Sequence, residues 1–164
     1  MRTAMILGMV LAATATGAEA GPVFERLSGR AAAGDPCFAR AYDADHLRRN
    51  PRQKVVRIHL ARERVDVADE NNPQRFTVRI GFRLRVDRDS YETNAVCTGD
   101  GPAADCTGEG DTGAFRLALA GEALRIEVER LEVEGARGSS PDLAVSDDRV
   151  FLLRPAAASA CAAR

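Results

Sequence analysis

The four cysteines carry the most specific chemistry in this chain of 164 residues; they are Cys37, Cys97, Cys106 and Cys161. An even number of cysteines in an exported chain predicts disulfide bonds, and four cysteines allow three pairings. Cys97 and Cys106 flank a short stretch rich in glycine, aspartate and proline, so they are natural local partners, which leaves Cys37 for Cys161. A zinc site needs C-x-x-C-like spacing or nearby histidine, and neither is present. We therefore predict two disulfides and no metal site.

Acidic side chains are concentrated around the middle pair of cysteines, in residues 98–113. They are Asp100, Asp105, Glu109 and Asp111. Carboxylate oxygens are the ligands that Ca²⁺ takes, but the EF-hand spacing is not met. The simplest interpretation is a solvated loop, with a calcium site or a partner-binding tip as alternatives. Loops on a rigid β scaffold often carry function, so this segment is a candidate binding loop.

Two rows of like charge occupy the polar positions of predicted strands. The arginine row is Arg79, Arg83 and Arg85, and the glutamate row is Glu127, Glu129, Glu132 and Glu134. If the two strands are neighbours, the rows pair as exposed salt bridges worth about 0–1 kcal/mol each. If the strands lie apart, the arginine row is a candidate anion-binding stripe.

Catalytic chemistry has little support in these residue types. There is no G-x-S-x-G segment, and the chain has only two histidines, His46 and His59. His46 falls in a predicted helix and His59 on the polar face of a predicted strand. A cysteine nucleophile needs a free thiol, whereas all four are expected to be oxidised. We predict no catalytic residues, no cofactor and no enzymatic activity.

The first twenty residues have the order of a secretory signal peptide. A positive start at Arg2 precedes the apolar run 4–15, and Ala18-Glu19-Ala20 forms an A-x-A cleavage site. The run is too short for a bilayer span of about 20 apolar residues, and no later segment is long enough. We expect cleavage after Ala20 and a periplasmic or secreted location. The formal net charge of −1 gives no overall bias towards nucleic acid.

The elements that must position these residues are mostly strands. Strict alternation of apolar and polar residues over 76–86 predicts a half-buried strand. Residues 114–129 predict a hairpin with Gly121 at the first central position of a type II′ turn, pairing Leu119 with Leu124. A bulge is expected at 129–130. A last strand over 149–154 is apolar at four consecutive positions, which is typical of a strand covered on both sides.

One short helix is predicted near the N-terminus of the mature chain. Asp43 is a candidate N-cap for a helix over 44–49. The compact cluster Tyr42-Asp43-Ala44-Asp45-His46 is a candidate ligand-orienting group, but a packed tyrosine beside a helix cap explains it more simply. The Ala/Gly-rich residues 21–36 predict an extended, flexible lead-in. Residues 37–155 are expected to form a single β domain, and 156–164 a tail tied down by Cys161.

About seven to eight short strands and one short N-terminal helix predict a mainly β fold. Antiparallel strands at this density are typical of a β-sandwich or a small barrel, and the pattern does not separate the two.

Three segments resemble parts of small exported proteins of proteobacteria that have no assigned activity. The segments are CFARAYDADHL from Cys37, DTGAFRL from Asp111 and DDRVFLL from Asp147. The resemblance implies a setting in the bacterial envelope and implies no particular reaction.

These observations predict an exported, non-enzymatic binding or interaction module whose partner is an unknown envelope protein or a small ligand, not nucleic acid. The alternative is a carrier of a small lipid or amphiphile, because an eight-stranded barrel can hold one small ligand. Phe76, Phe82 and Phe115 would then line the cavity. A hydrolase with an unfamiliar site is the second alternative.

Overall fold

The computed structural model describes residues 22–28, 36–63, 75–86, 89–99 and 101–162. Within these ranges eight antiparallel strands form a closed barrel, and two very short strands form a separate ribbon. The barrel strands are β1 Cys37–Ala41, β2 Val55–Glu63, β3 Arg75–Leu84, β4 Ser90–Thr98, β5 Ala103–Gly108, β6 Gly113–Ala120, β7 Ala123–Leu131 and β10 Val150–Ala156. The ribbon strands are β8 Glu134–Gly135 and β9 Gly138–Ser139, and the helices are α1 Val23–Ser28 and α2 Ala44–Arg49. Single 3₁₀ turns cover Leu143–Val145 and Ala158–Ala160.

The strand order decides between the two predicted architectures. Each barrel strand pairs with its neighbour in the sequence, β7 pairs with β10, and β10 pairs with β1 to close the wall. The fold is therefore an up-and-down barrel and not a sandwich. Closure removes the unpaired edges that a small open sheet would expose.

The barrel interior is filled by apolar side chains that alternate with outward polar residues. Its largest members are Phe76, Phe82, Phe115 and Phe151, each no more than 1% exposed. Three of them, Phe76, Phe82 and Phe115, are the residues that the carrier alternative places around a ligand, and all three are buried among the core side chains. Eight strands give an interior that side chains alone can fill, and they do so here.

One end of the barrel is closed by α1, which corrects the expectation of a flexible lead-in over 21–36. Val23 and Leu27, one turn apart, are fully buried in the core. The Val23 amide donates to the Gly101 carbonyl at 2.9 Å, and the Arg26 guanidinium to the Gly121 carbonyl at 3.2 Å. The sequence does not reveal this helix because it has few apolar residues: Val23, Leu27 and the half-buried Phe24, whose ring lies 5.6 Å from that of Phe76.

The opposite end is closed by α2 and the segment after β7. Asp43 accepts a hydrogen bond from the His46 amide at 2.7 Å, so the predicted cap and helix bounds are confirmed. Asp148 is fully buried and accepts from the amides of Lys54 and Val55, which joins the start of β10 to the start of β2. The Tyr42 and His46 rings pack 4.7 Å apart, so this cluster serves the packing of α2.

The β6–β7 hairpin confirms its prediction residue by residue. Leu119 pairs with Leu124, and Gly121 has a positive φ of 61°. The next residue, Glu122, does not have positive φ, which is the type II′ pattern. The partner of Phe115 is Val128 while that of Ala114 is Arg130, so the predicted bulge is also present.

Two predicted segments are corrected by the register. Residues 98–113 are not one loop, because β5 lies within them and pairs with both β4 and β6. The last strand is not covered on both sides, since Val150 and Leu152 are 49% and 40% exposed while Phe151 and Leu153 are buried. The sequence predicted burial on both faces because the outward residues of this strand, Val150 and Leu152, are also apolar.

Both predicted disulfides are present. Cys97 and Cys106 are direct cross-strand partners on β4 and β5, and Cys37 is joined to Cys161 in the tail. Two disulfides indicate an oxidising compartment. In the described ranges, no helix has the length and apolar character needed to cross a bilayer. The predicted signal peptide lies outside the described residues.

Candidate functional site

The outer wall formed by β2, β3 and β4 carries polar side chains in rows that run across the strands. In the first row Arg57 lies opposite Arg83, and Arg83 lies opposite Ser90. Ile58 and Phe82, the adjacent residues, point into the core. Because side chains alternate between the two faces of a strand, the row faces outward. Two arginines thus meet directly across neighbouring strands, where like charges repel.

The second row contains His59, Gly81 and Glu92. Gly81 has no side chain, so the two flanking side chains meet above it, with His59 Nε2 3.4 Å from Glu92 Oε2. A Cβ at Gly81 would lie 2.5 Å from His59 Cε1. The glycine is therefore what lets the imidazole approach the backbone of β3 so closely.

A chain of charges extends from this pair towards the end of the barrel closed by α1. Arg79 lies 3.5 Å from Glu92 through its Nη1 atom and 3.5 Å from Glu63 through its Nε atom. Both carboxylates on this part of the wall are thereby engaged by Arg79 and His59. In the part of the chain that the structure describes, Arg57 and Arg83 have no carboxylate partner.

Burial lowers the pKa of His59 below its ordinary value of 6.5. The neighbouring cations Arg79 and Arg57 act in the same direction, while the hydrogen bond and charge of Glu92 oppose it. The imidazole is accordingly neutral at neutral pH. A neutral imidazole bonded to a carboxylate donates through one ring nitrogen and keeps the other as an acceptor.

The C-terminal segment 158–162 covers this part of the wall. Arg57 donates to the Ala160 carbonyl at 2.8 Å, and Arg79 donates to the Cys161 carbonyl at 3.1 Å. The Cys37–Cys161 disulfide fixes the segment to β1. Two arginines of the wall thus already hold oxygen atoms of the chain itself.

A cavity of about 140 Å³ lies between this segment and the wall. Its lining combines cationic, polar and apolar residues: Arg57, His59, Phe82, Arg83, Ser90, Tyr91, Glu92, Ala160 and Ala162. A second cavity of about 240 Å³ lies nearer the disulfide and is bordered by Glu63, Arg79 and Cys161, among others. We call the first cavity the wall cleft.

Free hydrogen-bond donors are present in the wall cleft. Within the described ranges, no hydrogen bond or ion pair engages the side chains of Arg83 and Ser90. Arg57 uses one terminal nitrogen on Ala160 and retains other donors. Guanidinium groups and a hydroxyl converging on one space are suited to a carboxylate or phosphate oxygen.

The predicted arginine stripe is only partly brought together. Arg83 lies in the wall cleft, and Arg79 lies in the neighbouring row network. Arg85 instead directs Nη1 towards the carbonyls of Leu47 and Gln53, at 3.3 and 3.4 Å.

Of the two alternatives for this stripe, pairing with the glutamate row is excluded, because β3 neighbours β2 and β4 and not β7. Glu127 pairs with Arg125, and Glu132 with Arg130. Glu129 and Glu134 are exposed.

The candidate binding loop is not assembled as one site. Asp105 lies on β5 and pairs with Arg116 at 2.8 Å. Glu109 and Asp111 lie at the β5–β6 turn, beyond the far end of that strand, and Asp100 lies outside the described residues. Among the described residues, no group of three or more histidine, cysteine or acidic side chains is arranged to hold a metal ion.

Four residues of the wall cleft were missed by sequence reasoning: Arg57, His59, Ser90 and Glu92. Alternation assigned His59 to a polar face, but the connection between β2 and β3 is long, and the turn predicted over residues 68–74 does not fix the register of the two strands. One signal was available. Gly81 interrupts an otherwise bulky strand, and such a glycine often marks a close approach by a neighbouring group.

Comparison with protein-family models, curated proteins and solved structures found no match to this chain.

Proposed function

We propose that this protein is an exported, non-enzymatic binding module of the bacterial envelope that holds a small organic anion in the wall cleft. The observation that carries the proposal is the Arg57–Arg83 pair. Arg57 and Arg83 are direct partners across neighbouring strands, and within the described residues no carboxylate forms an ion pair with either. An oxyanion between them would replace a repulsion by charge-assisted hydrogen bonds.

The size and lining of the wall cleft favour a small organic anion over a bare inorganic ion. A cavity of roughly 150 Å³ is large enough for a single benzene ring in a protein interior, which sets the scale for the 140 Å³ found here. Ala160, Ala162 and Tyr91 supply apolar surface beside the charged row. A carboxylate attached to a short hydrocarbon chain or to an aromatic ring matches both the charged row and the apolar surface.

The location follows from the disulfides together with the predicted signal peptide. Both disulfides require an oxidising compartment, and the resemblance of three segments to exported proteobacterial proteins supports the periplasm. Cleavage after Ala20 would leave Gly21 as the first residue of the mature protein. Mass determination of the protein from a periplasmic extract tests this point, and an intact Met1 there would contradict it.

Binding is tested by titrating the mature, disulfide-bonded protein with acetate, benzoate and inorganic phosphate at constant ionic strength. We expect benzoate to bind most tightly and to shift the guanidinium NMR signals of Arg57 and Arg83. Arg83→Gln should weaken benzoate binding about tenfold or more, because a hydrogen bond to a charged group contributes about 1.5–3 kcal/mol.

The control is Arg149→Gln, which removes the same charge from an exposed residue at the start of β10, outside the wall cleft. It should leave benzoate binding unchanged. Equal losses in both variants would mean that binding follows net charge and not this site. Tighter binding of phosphate than of benzoate would replace the organic anion by an inorganic one.

The absence of catalysis is part of the proposal. All four cysteines are in disulfides, so no thiol is available as a nucleophile. The His59–Glu92 pair is the nearest approach to an acid–base group. Ester, glycoside or peptide hydrolysis by the purified protein that disappears in His59→Gln would overturn this part and leave the binding result standing.

A further inference from the structure

The part of the chain that forms β1, α2, β2 and β3 is strongly cationic, although the whole chain is nearly neutral. In residues 36–63 and 75–86, arginine and lysine outnumber aspartate and glutamate by eleven to three. Some of these charges are locally paired, as Arg48 is with Asp45 and Arg52 with Asp147. Four of the remaining cations lie close together on the outer wall.

A second cross-strand pair of cations lies next to the Arg57–Arg83 pair. Past the Arg57–Arg83 pair, the Arg85 amide donates to the Lys54 carbonyl at 2.8 Å, which makes these two residues cross-strand neighbours. Leu84 and Val55, which lie between the two pairs, are buried. The four cations therefore lie on the outer face, and Arg85, whose Nη1 lies 3.3 and 3.4 Å from the carbonyl oxygens of Leu47 and Gln53, retains its other donors.

We call these four residues, Lys54, Arg57, Arg83 and Arg85, the cationic strip. No carboxylate within the described ranges forms an ion pair with any of them. Two like-charged pairs in succession oppose folding, so an external anion that spans both pairs would relieve both repulsions.

The spacing of the strip identifies the kind of anion. Arg83 and Arg85 are two residues apart along extended chain, which separates them by about 6.6–6.8 Å. Carboxylates on alternate residues of an extended peptide have the same repeat and point to the same side. Each would meet one pair of cations, and a guanidinium binds a carboxylate through two parallel hydrogen bonds.

We propose that the cationic strip docks an extended acidic segment of a partner protein, with acidic side chains at alternate positions. This rests on the proposed function, because the carboxylate that meets Arg57 and Arg83 occupies the wall cleft. The second carboxylate meets Lys54 and Arg85 outside the cleft. The partner is thereby a peptide with an acidic–neutral–acidic pattern, and the wall cleft is the deeper of its two contact points.

The test compares two dye-labelled peptides of identical composition, both acetylated and amidated at their ends. One has glutamates at alternate positions separated by threonine, and the other has the same glutamates in adjacent positions. We expect the mature protein to bind the alternating peptide about tenfold more tightly by fluorescence anisotropy, which corresponds to about 1.4 kcal/mol. Equal affinities would overturn the proposal, because attraction by charge alone does not depend on spacing.

Variants separate this inference from the proposed function. Arg85→Gln should abolish the preference for the alternating peptide yet leave benzoate binding unchanged, whereas Arg83→Gln should weaken both. Arg85→Lys keeps the charge and should retain most of the preference, and Arg149→Gln should change neither measurement. Thermal unfolding of each variant establishes that it is folded.

The outcomes are distinguishable. Benzoate binding without any spacing preference would overturn the docking strip and leave the anion site standing. Failure of both benzoate and peptide would overturn the proposed function itself. Displacement of the alternating peptide by an oligonucleotide of equal charge, at equal or lower concentration, would assign the strip to a phosphate backbone and overturn the acidic peptide.

Discussion

At the scale of single residues, the wall cleft depends on Gly81, a residue that has no side chain. Gly81 lies between His59 and Glu92 on neighbouring strands, and the imidazole of His59 lies against its backbone. The hydrogen bond between the His59 and Glu92 side chains passes over Gly81. A residue with no functional group therefore determines whether two functional groups meet.

Gly81→Ala should destabilise the fold and disorder the wall cleft. The new Cβ would lie 2.5 Å from His59 Cε1 and 2.7 Å from His59 Nε2, so the imidazole must move. We expect a loss of about 1–3 kcal/mol in the free energy of unfolding, measured with urea, since that is the usual cost of overpacking. Gly101→Ala is the control, because a Cβ there would meet nothing within 4 Å. Equal effects of the two substitutions would contradict the close approach.

The lowered pKa of His59 predicts a stability that depends on pH. The folded protein holds the imidazole neutral, whereas the unfolded chain takes up a proton near the ordinary pKa of 6.5. The free energy of unfolding should therefore fall as the pH is lowered from about 7 through 6.5, and should level off below the folded pKa. The groups facing His59 are Glu92, which opposes the shift, and Arg57 and Arg79, which add to it.

Urea unfolding at several pH values between about 7.5 and 5.5 measures this slope, with His59→Gln as the matched variant. The other histidine, His46, is present in both proteins. The slope in this window should be smaller in the variant. An identical slope in the two proteins would mean that other groups cause the pH dependence.

At the scale of elements, the β6–β7 hairpin shows what local sequence can specify. Its register follows from the turn, because a two-residue connection at Gly121 and Glu122 leaves one pairing in which the apolar side chains share a face. The φ of 61° at Gly121 is the single backbone requirement that the sequence meets with a glycine.

Gly121→Val should lower stability by about 1–3 kcal/mol, since a β-branched residue is strained at positive φ. Nothing lies within 4 Å of the position where the new Cβ would be, so the cost comes from the backbone and not from a clash. Glu122→Val, at the adjacent turn position without positive φ, should cost much less. Thermal unfolding of the two variants measures the difference, and an unchanged melting temperature for Gly121→Val would exclude the type II′ turn.

Elements whose pairing is not local were predicted less well. The β5 strand contains glycine and aspartate at positions that usually indicate a loop, yet it pairs with β4 on one side and with β6 on the other. The α1 helix buries just two side chains fully, Val23 and Leu27, and its other contacts are made with distant parts of the chain. Tertiary contacts determine both elements, and a single sequence contains no record of those contacts.

The candidate site divides in the same way. Arg83 was predicted because strict alternation along β3 places it on the outer face. Arg57, Ser90 and Glu92 were not, because each joins the site through pairing with another strand. A linear sequence shows which face a residue occupies, whereas the neighbour across the strand depends on the register of the whole wall.

At the scale of the whole molecule, the two disulfides have different structural roles. Cys97–Cys106 joins residues that already face each other on hydrogen-bonded strands, nine positions apart in sequence. Cys37–Cys161 spans 124 positions and fixes the C-terminal segment to the first strand of the barrel. The second bond therefore encloses nearly the whole barrel in one covalent loop and also keeps the cover of the wall cleft in place.

Removing the long-range bond should cost more stability than removing the local one. Loop-closure entropy gives about 5 kcal/mol for the Cys37–Cys161 loop and about 2.5 kcal/mol for the Cys97–Cys106 loop. We expect the double variant Cys37→Ala/Cys161→Ala to show the larger fall in the free energy of unfolding, measured by urea denaturation at equal protein concentration. Both pairs are buried, so alanine leaves comparable small cavities in the two double variants.

Limited proteolysis gives a second readout. The segment 158–162 should be cleaved faster only when the Cys37–Cys161 bond is absent, because Arg57 and Arg79 then retain the segment through two hydrogen bonds alone. A larger loss from the Cys97–Cys106 variant, or equal cleavage of the segment in both, would show that the long-range bond neither closes the barrel nor holds the cover.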